Sequence, residues 1–457
     1  MSQVATVGRG ASSLDERAAR FYDLDSELLL DPWTLYADLR QHAPVLRVGP
    51  AVVVTRYDDV KSVFRDPESF SNKRWTGTRV TRRRASLTPD EAERYDYLIS
   101  LDVNHIGQND KPNHTRLRRF VSQAFSRRAV ENLRDRATRI AHELCDEIDA
   151  SGDDPFDLAT LSWRLPFLVV CSMLAVPHAE VATFRSWALE IRRGLGTNYD
   201  NLDAAYDATR NLEAYVLDLI QRRRAQGTAG DASAGADGGG TDDLVTGLVA
   251  NDTEDGSPLS DAELVAMFAV MLTTGNANDM ISNAVIALDR RPDQKALLSE
   301  DPALLRPAIE EFMRYCPSVH GVHRVAVNDC EIAGYPVRAG ETVRLVVASA
   351  NHDPAMFADP DRLDITREDA RHQLDLGFGI HTCLGQWLAR LDIEVGLEVL
   401  YERYPDLRVA GPVRYRREYQ FRGPERLMIA KRCSPGGDLR GLSPGVDPHP
   451  RSPIPIP

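Results

Sequence analysis

A glycine-rich segment that contains one cysteine, Gly377-Phe-Gly379-Ile-His381-Thr-Cys383-Leu-Gly385, directly precedes a helical pattern that starts near Trp387. Glycines at alternating positions let the backbone pass close to a flat or bulky object. Cys383 would lie at the start of a helix, where free N–H groups and the helix dipole stabilise a thiolate. Such a thiolate is a suitable axial ligand for an iron porphyrin. The alternative is a purely structural role, in which a glycine-rich loop surrounds a buried cysteine.

The composition excludes several other classes of protein. The 457 residues include 55 Lys and Arg against 68 Asp and Glu, a net charge of −13, which disfavours a nucleic-acid binder. The longest apolar run, Leu165 to Val176, is too short to span a bilayer, and the first residues lack a signal-peptide pattern. We therefore expect a cytoplasmic protein without a membrane segment. The six cysteines show no paired spacing, which is typical of buried free thiols in a reducing compartment.

The chain is predicted to form one domain over residues 21–433. Residues 1–20 and the Pro- and Gly-rich residues 434–457 read as disordered, and the Gly- and Ala-rich residues 226–241 as a mobile surface loop. Helical periodicity dominates the remainder. The predicted fold class is therefore α+β and mostly helical.

Local signals place several elements within that domain. Strand-like segments lie near the two ends, at Ala51–Thr55, Cys330–Ile332 and Thr342–Val347. The motifs Thr88–Glu91 and Ser260–Glu263 are capping boxes, which predict helix starts. The second of them opens the apolar run 264–272, which indicates a central buried helix.

Two further patterns carry charge at helical spacing. Glu311 and Arg314 lie three residues apart, which is usually a solvated pair of small energy. His114 and Arg118 lie four apart on one helical face, an arrangement that suits a carboxylate or phosphate but is more often surface charge. Neither pattern assigns a function by itself.

Taken together and in this order, these motifs resemble the cytochrome P450 family, in particular its soluble bacterial class. The likeness extends over roughly residues 25–430 and includes Asn351-His-Asp-Pro, Asp359-Pro-Asp-Arg362 and Arg290-Arg-Pro-Asp-Gln. The resemblance implies a triangular, mostly helical fold with a small β-sheet region, and haem b (iron protoporphyrin IX) as cofactor. It implies Cys383 as the iron ligand, Gly377, Gly379 and Gly385 beside the haem, and an ion-pair network of Glu311, Arg314 and Arg362. The implied contacts of the haem propionates are His114, Arg118, Arg324 and His381.

The sequence departs from the family pattern at two places. Leu376 stands where the family has a phenylalanine that shields the sulfur, which is expected to alter the redox potential. In the central helix, the usual acid followed by threonine is missing. Depending on the register, Asn278 or Asn276 replaces the alcohol, and Asp279 is the only nearby acid. These three residues are the candidate catalytic residues for proton delivery, which we expect to be atypical.

The resemblance implies oxidation of a small natural-product-like molecule by O2, with electrons from ferredoxin and ferredoxin reductase. Two alternatives remain open at this stage. One is a thiolate-haem catalyst that uses peroxide or rearranges its substrate, and the other is a haem-binding sensor or carrier without turnover. The basic run Arg79–Arg84 is either a solvated face or a guide for an anionic substrate or an acidic carrier protein. The segments expected to contact substrate are the loop Asn72–Gly107 and residues 163–199, 276–279, 319–322 and 420–423.

Overall fold

A computed structural model describes residues 13–195, 201–228, 248, 258–273 and 277–431. Helices form most of this part of the chain, as the periodicity predicted. Their bounds are α1 Leu14–Tyr22, α2 Ser26–Leu30, α3 Trp33–His42, α4 Tyr57–Arg65, α5 Thr78–Ala85, α6 Pro89–Asn104, α7 Asn113–Ser122, α8 Arg127–Glu131, α9 Arg134–Ser151, α10 Leu158–Met173, α11 Val181–Leu195, α12 Leu202–Thr228, α13 Asp261–Thr273, α14 Ala277–Arg290, α15 Pro292–Glu300, α16 Leu305–Tyr315, α17 Val347–Ala350 and α18 Gln386–Arg403.

The strands are short and lie mainly at the two ends of the chain. They are β1 Val45–Val48, β2 Ala51–Val54, β3 Phe70–Ser71, β4 Phe156–Asp157, β5 Val322–Ala326, β6 Cys330–Ile332, β7 Tyr335–Val337, β8 Thr342–Leu345, β9 Arg408–Val409, β10 Arg414–Tyr415, β11 Pro424–Arg426 and β12 Met428–Ala430. The largest sheet has the order β1-β2-β8-β5-β3, in which only β2 and β8 run parallel. The three predicted strand segments correspond to β2, β6 and β8.

The helical core forms around α13 and α14. The Ser260 capping box is present, because the Ser260 N–H donates to Glu263 and the Glu263 N–H donates to the Ser260 hydroxyl, at 2.9 and 3.2 Å. Every residue of 264–269 is buried, as the all-round apolar pattern predicted. Helix α14 packs against α10 and α18. The contact with α18 is close at Gly396, where a Cβ would lie 2.8 Å from Ile281 Cδ1.

The N-terminal boundary predicted from the sequence is wrong. Helix α1 starts at Leu14, and Ser13 and Glu16 form a capping box at its start. Ala18 and Phe21 are buried, and the Phe21 ring packs against Tyr36 and Tyr419. The motif Ser13-Leu-Asp-Glu16 is the local signal that was overlooked.

Two predicted loops also contain helix. The segment Asn72–Gly107 holds α5 and α6, and α6 follows the predicted Thr88 capping box, in which the Thr88 N–H donates to Glu91 at 2.8 Å. Helix α12 ends at Thr228, so the first three residues of the predicted loop 226–241 are helical. The rest of that loop and the predicted tail 434–457 lie outside the described residues.

Crossing a lipid bilayer demands a long and strongly apolar helix, and none of the helices within the described ranges meets that demand.

Candidate functional site

The segment Gly377–Gly385 forms a tight loop before α18. Gly377 and Gly379 have φ values of 71° and 77°, a region that favours glycine. A Cβ at Gly379 would lie 2.8 Å from the Phe64 carbonyl oxygen, so α4 leaves no room for a side chain there. The Cys383 N–H donates to the Leu376 carbonyl at 2.8 Å and closes the loop. The local geometry is therefore fixed by the glycines.

Cys383 lies three residues before the first residue of α18, at a helix start as the sequence predicted. The residue as a whole is partly buried. Burial raises the pKa of the Cys383 thiol, whereas the Gly385 N–H that donates to the sulfur and the charge of Arg118 act in the opposite direction. A donor and a cation beside the sulfur suit a thiolate once it is formed.

Helix α7 holds this cysteine loop in place through its predicted His114 and Arg118. The Arg118 guanidinium donates to the carbonyls of Ile380 and Thr382, at 3.0 and 2.9 Å. The rings of His114 and His381 meet edge to face, with centroids 4.4 Å apart. The helical face that carries His114 and Arg118 is therefore turned towards the cysteine loop rather than towards solvent.

Arg324 of β5 completes a cluster of buried donors. Its guanidinium lies over the Phe64 ring, 5.1 Å from the centroid, and burial lowers its pKa to about 10. Burial, followed by the charge of Arg324, lowers the pKa of His381 to about 3. The His381 Nε2 atom is buried without a hydrogen-bond partner.

Asp110, a carboxylate whose charge acts on both Arg324 and His114, already accepts from Ser71 and the Asn72 N–H, at 2.5 and 3.2 Å. Buried cations and donors without an anion are costly unless a partner binds to them. The donor set beside Cys383 thus fits a group that carries carboxylates, as the two propionates of haem b do. The structure brings together all four residues predicted to contact them.

The Glu311–Arg314 pair is fully buried, with both side chains 0% exposed, so it is not a solvated surface contact. Arg314 binds both carboxylate oxygens of Glu311, at 2.7 and 2.9 Å. The prediction that the Arg362 side chain belongs to this ion-pair network is wrong. Arg362 is exposed and contributes only its carbonyl oxygen, while the Arg367 side chain approaches Glu311 to 3.4 Å. The chain turns after Arg362, which carries Arg367 and not Arg362 back over α16.

The candidate proton-delivery residues lie at the start of α14. Asn276 is outside the described residues, and for Asn278 only the helical backbone is described. Asp279 is buried, and its carboxylate forms an ion pair with Arg416. A Cβ at Gly423 would overlap the Asp279 carboxylate, so the turn before β11 packs directly on this pair. Asp279 is therefore bound to the C-terminal hairpin.

Several of the segments predicted to contact substrate come together near this pair. Val319 forms a β-bridge with Phe421, and the His320 N–H donates to the Gln420 carbonyl at 2.8 Å. Helix α11 reaches the same hairpin, where Arg192 lies 3.7 Å from Glu418. The hairpin, the segment after α16 and the start of α14 thus form one continuous surface.

Sequence reasoning missed two charged residues of this region. Arg416 gave no signal, because its partner Asp279 lies 137 residues away in the chain. Asp375 is a buried carboxyl whose oxygen accepts the Val319 N–H at 2.9 Å, and burial raises its pKa to about 7. The sequence did contain one signal of this buried carboxyl, since Asp375 is a charged residue between two apolar ones, Leu374 and Leu376.

Comparisons with known proteins agree with this geometry. The family model described as Cytochrome P450 matches residues 266–405. The chain is 35% identical over 431 residues to the mycinamicin IV hydroxylase/epoxidase of Micromonospora griseorubida, an alignment that spans 92% of this chain and 99% of the relative.

Two solved structures share the fold. The epothilone D-bound cytochrome P450epoK has a TM-score of 0.79 and 26% identity, over 90% of this chain and 98% of that chain. The cytochrome P450BioI, solved with an acyl carrier protein ligated to hexadec-9Z-enoic acid, has a TM-score of 0.76 and 26% identity, over 89% of this chain and 99% of that chain.

These likenesses confirm the expected fold, the oxidoreductase class and haem b as the cofactor. The match in sequence and the match in structure each cover about nine tenths of the chain. The chain belongs to the cytochrome P450 family.

Proposed function

We propose that this enzyme inserts oxygen from O2 into a small natural-product-like molecule, with electrons from ferredoxin and ferredoxin reductase. The observation that carries the proposal is the cluster of His114, Arg118, Arg324 and His381 beside Cys383. A relative of nearly full-length match is named a hydroxylase/epoxidase of mycinamicin IV, which supports the substrate class. The cytoplasmic location expected from the sequence stays a prediction.

In this proposal, Cys383 binds the haem iron through its thiolate. The Gly385 N–H and Arg118 would stabilise the negative sulfur, and Gly377 and Gly379, whose φ values favour glycine, would leave room for the cofactor beside the loop. Arg118 and Arg324 supply the positive charge for the propionates, while His114 and His381 supply hydrogen bonds. The propionates and the two arginines would then compensate one another's charge, which would reduce the cost of burying Arg324.

Haem in this environment supplies the binding and reductive activation of O2. The task left to the chain on the substrate side is to order water and supply protons. An asparagine amide can donate a hydrogen bond and orient a water, but it cannot relay a proton as a hydroxyl does. Asp279 forms an ion pair with Arg416, so its carboxylate is already bound to a side chain of the C-terminal hairpin. We propose that Asn276 or Asn278 orders the water and that a group on the substrate contributes the proton.

A carrier-bound substrate is a second form of the same function. Helix α5 presents Arg82 and Arg84 at the surface, and Arg84 pairs with Asp96 at 2.7 Å. An acidic carrier protein would be attracted to such a surface. The P450BioI structure, which contains an acyl carrier protein, supports this form.

Labelled oxygen tests the proposed function. Macrolactones that shift the Soret band of the holoenzyme would be incubated with ferredoxin, ferredoxin reductase, NADPH and 18O2. We expect a product that gains one 18O atom and forms only when the reductase is present. Product that forms only with added peroxide would favour the peroxide-using alternative. Tight binding without any product, with every electron-transfer component active, would favour a sensor.

A further inference from the structure

Asp375 is a buried carboxyl in the chain segment that leads into the cysteine loop. It is 6% exposed and lies between two leucines. Its oxygen accepts the Val319 N–H at 2.9 Å, and Ser318 donates to it through both its hydroxyl and its N–H. Within the described ranges, no Lys, Arg or His side chain forms an ion pair with it. The carboxylate is thus held by hydrogen bonds alone.

This carboxyl is connected to Cys383 by a short path. The carbonyl of the next residue, Leu376, accepts the Cys383 N–H at 2.8 Å. Asp375 also acts on the sulfur through its charge, since it is one of the groups that raise the pKa of the Cys383 thiol. A change in the charge of Asp375 is therefore felt at the sulfur.

The groups that face Asp375 do not offset its charge. Asp279 on α14 is the other carboxylate within electrostatic reach, and Cys316 after α16 is a thiol whose pKa rises further because of Asp375. Arg314, whose charge reaches Cys316, binds Glu311, and Arg390, whose charge reaches Cys383, binds Glu310 at 2.5 Å. In a buried site, an uncompensated charge acts over a longer distance than at the surface.

We propose that Asp375 is a positioning residue with two effects: it anchors the Val319 segment to the cysteine loop, and its carboxylate lowers the reduction potential of the haem. This inference rests on the proposed ligation of iron by Cys383. Reduction adds an electron to the iron centre, and a nearby negative charge makes that addition less favourable. Leu376 acts on the same sulfur, but as an apolar neighbour it adds no charge.

The charge effect has a definite pH dependence. Burial raises the pKa of Asp375 to about 7. Below that pH the carboxyl is neutral and its effect on the haem is absent, and above it the carboxylate is charged and the effect is present. The reduction potential should consequently fall as the pH rises through neutrality.

The test is spectroelectrochemical titration of the substrate-free holoenzyme about one pH unit on either side of the Asp375 pKa. We expect Asp375→Asn to favour the reduced haem by up to about tenfold at the higher pH, a rise of about 59 mV, and much less at the lower pH. The control is Asp392→Asn, which makes the same change at another buried carboxyl, on α18, whose pKa burial raises well above its usual value. Its potential should equal that of the wild type.

If Asp375→Asn does not retain haem, a second variant tests the effect of the Asp375 charge on the reduction potential. Ser318→Ala keeps the carboxylate but removes one donor, so it should move the midpoint of the pH-dependent potential upward. Equal potentials for wild type and Asp375→Asn at both pH values would overturn the proposal, as would a midpoint unmoved by Ser318→Ala. The spectrum of the ferrous CO complex, recorded on the same samples, tests thiolate ligation separately. An unshifted Soret band in the wild type would refute the proposed function and not only the role of Asp375.

Discussion

Asn276 and Asn278 stand near the position where the family usually has an alcohol that orders water for proton transfer. General acid–base assistance is typically worth about 10²–10⁴-fold in rate. We predict that Asn278→Thr leaves substrate binding intact but changes how electrons divide between product and hydrogen peroxide. The measurement compares NADPH consumed, product formed and peroxide released in the wild type, in Asn278→Thr and in Asn276→Thr.

If the other register of the helix is right, Asn276→Thr is the variant that changes the division of electrons. A wild type that already converts electrons efficiently to product, together with two variants that do the same, would contradict this account of the helix. Proton delivery would then have to come from elsewhere, without water ordered by either asparagine.

His320 gives a prediction about pH at the scale of one residue. Its ring is buried, its Nδ1 lies 3.1 Å from the Tyr36 hydroxyl, and burial holds its pKa well below the usual value. The unfolded chain takes up a proton at His320 below about pH 6.5, whereas the folded chain does not. The free energy of unfolding should therefore decrease as the pH falls below that value, by up to about 1.4 kcal/mol per pH unit for this one group.

Urea unfolding at several pH values measures this slope. His320→Gln should have a shallower decrease in acid than the wild type, even if its overall stability is lower. His42→Gln, at an exposed residue of α3, is the control and should keep the wild-type slope. A slope unchanged by His320→Gln would show that His320 is protonated in the folded protein.

At the scale of secondary-structure elements, the Glu311–Arg314 pair fixes α16 against the turns that follow Asn351 and Pro360. Arg314 donates to the carbonyls of both residues, at 3.0 and 2.7 Å. Removing one partner of a buried pair typically costs about 3–5 kcal/mol. That is a large share of a typical stability of about 5–15 kcal/mol.

We predict that Glu311→Ala yields little holoprotein, measured as haem content per chain and as the urea midpoint. The adjacent Glu310→Ala is a matched control, because Glu310 and Arg390 are both about one fifth exposed. A partly exposed pair costs less to break than a fully buried one, because water reaches the charge that is left, so this variant should retain haem. Full haem content in Glu311→Ala would contradict the structural role of the pair.

The sequence predicted those elements whose signals are local. The Thr88 and Ser260 capping boxes gave the starts of α6 and α13, and an apolar run identified the buried helix. It did not predict the contacts made between distant segments. Arg367 rather than Arg362 lies beside Glu311. The turn between these two arginines decides which side chain reaches α16, and a turn has no periodic sequence pattern from which this could be predicted.

The same reason applies to the candidate site. The resemblance to a family placed His114, Arg118, Arg324 and His381 together, although they come from separate parts of the chain. Arg416 and Asp375 have no such precedent in the motifs. Their roles depend on tertiary packing alone, which residue spacing does not encode.

At the scale of the whole molecule, net charge and charge distribution govern the encounter with partners. The chain carries −13 overall, yet α5 concentrates arginines at its C-terminal end. If this surface guides an acidic carrier protein, the triple change of Arg82, Arg83 and Arg84 to Ala should weaken binding of an acyl carrier protein. The loss should shrink as added salt shortens the Debye length from about 8 Å.

The matched control is the triple change of Arg222, Arg223 and Arg224 to Ala on α12, which removes the same charge elsewhere. Affinity would be measured by calorimetry at low and high salt. Equal affinity and equal salt dependence for wild type and the α5 variant would show that this face is only solvated.

The most direct test of the account is the absorption spectrum of the ferrous CO complex of the purified holoenzyme. If Cys383 binds the iron as a thiolate, the wild type should show the strongly red-shifted Soret band of thiolate ligation, and Cys383→His should lose that shift while retaining haem. An unshifted band in correctly folded wild type, or a shifted band in Cys383→His, would contradict the central claim.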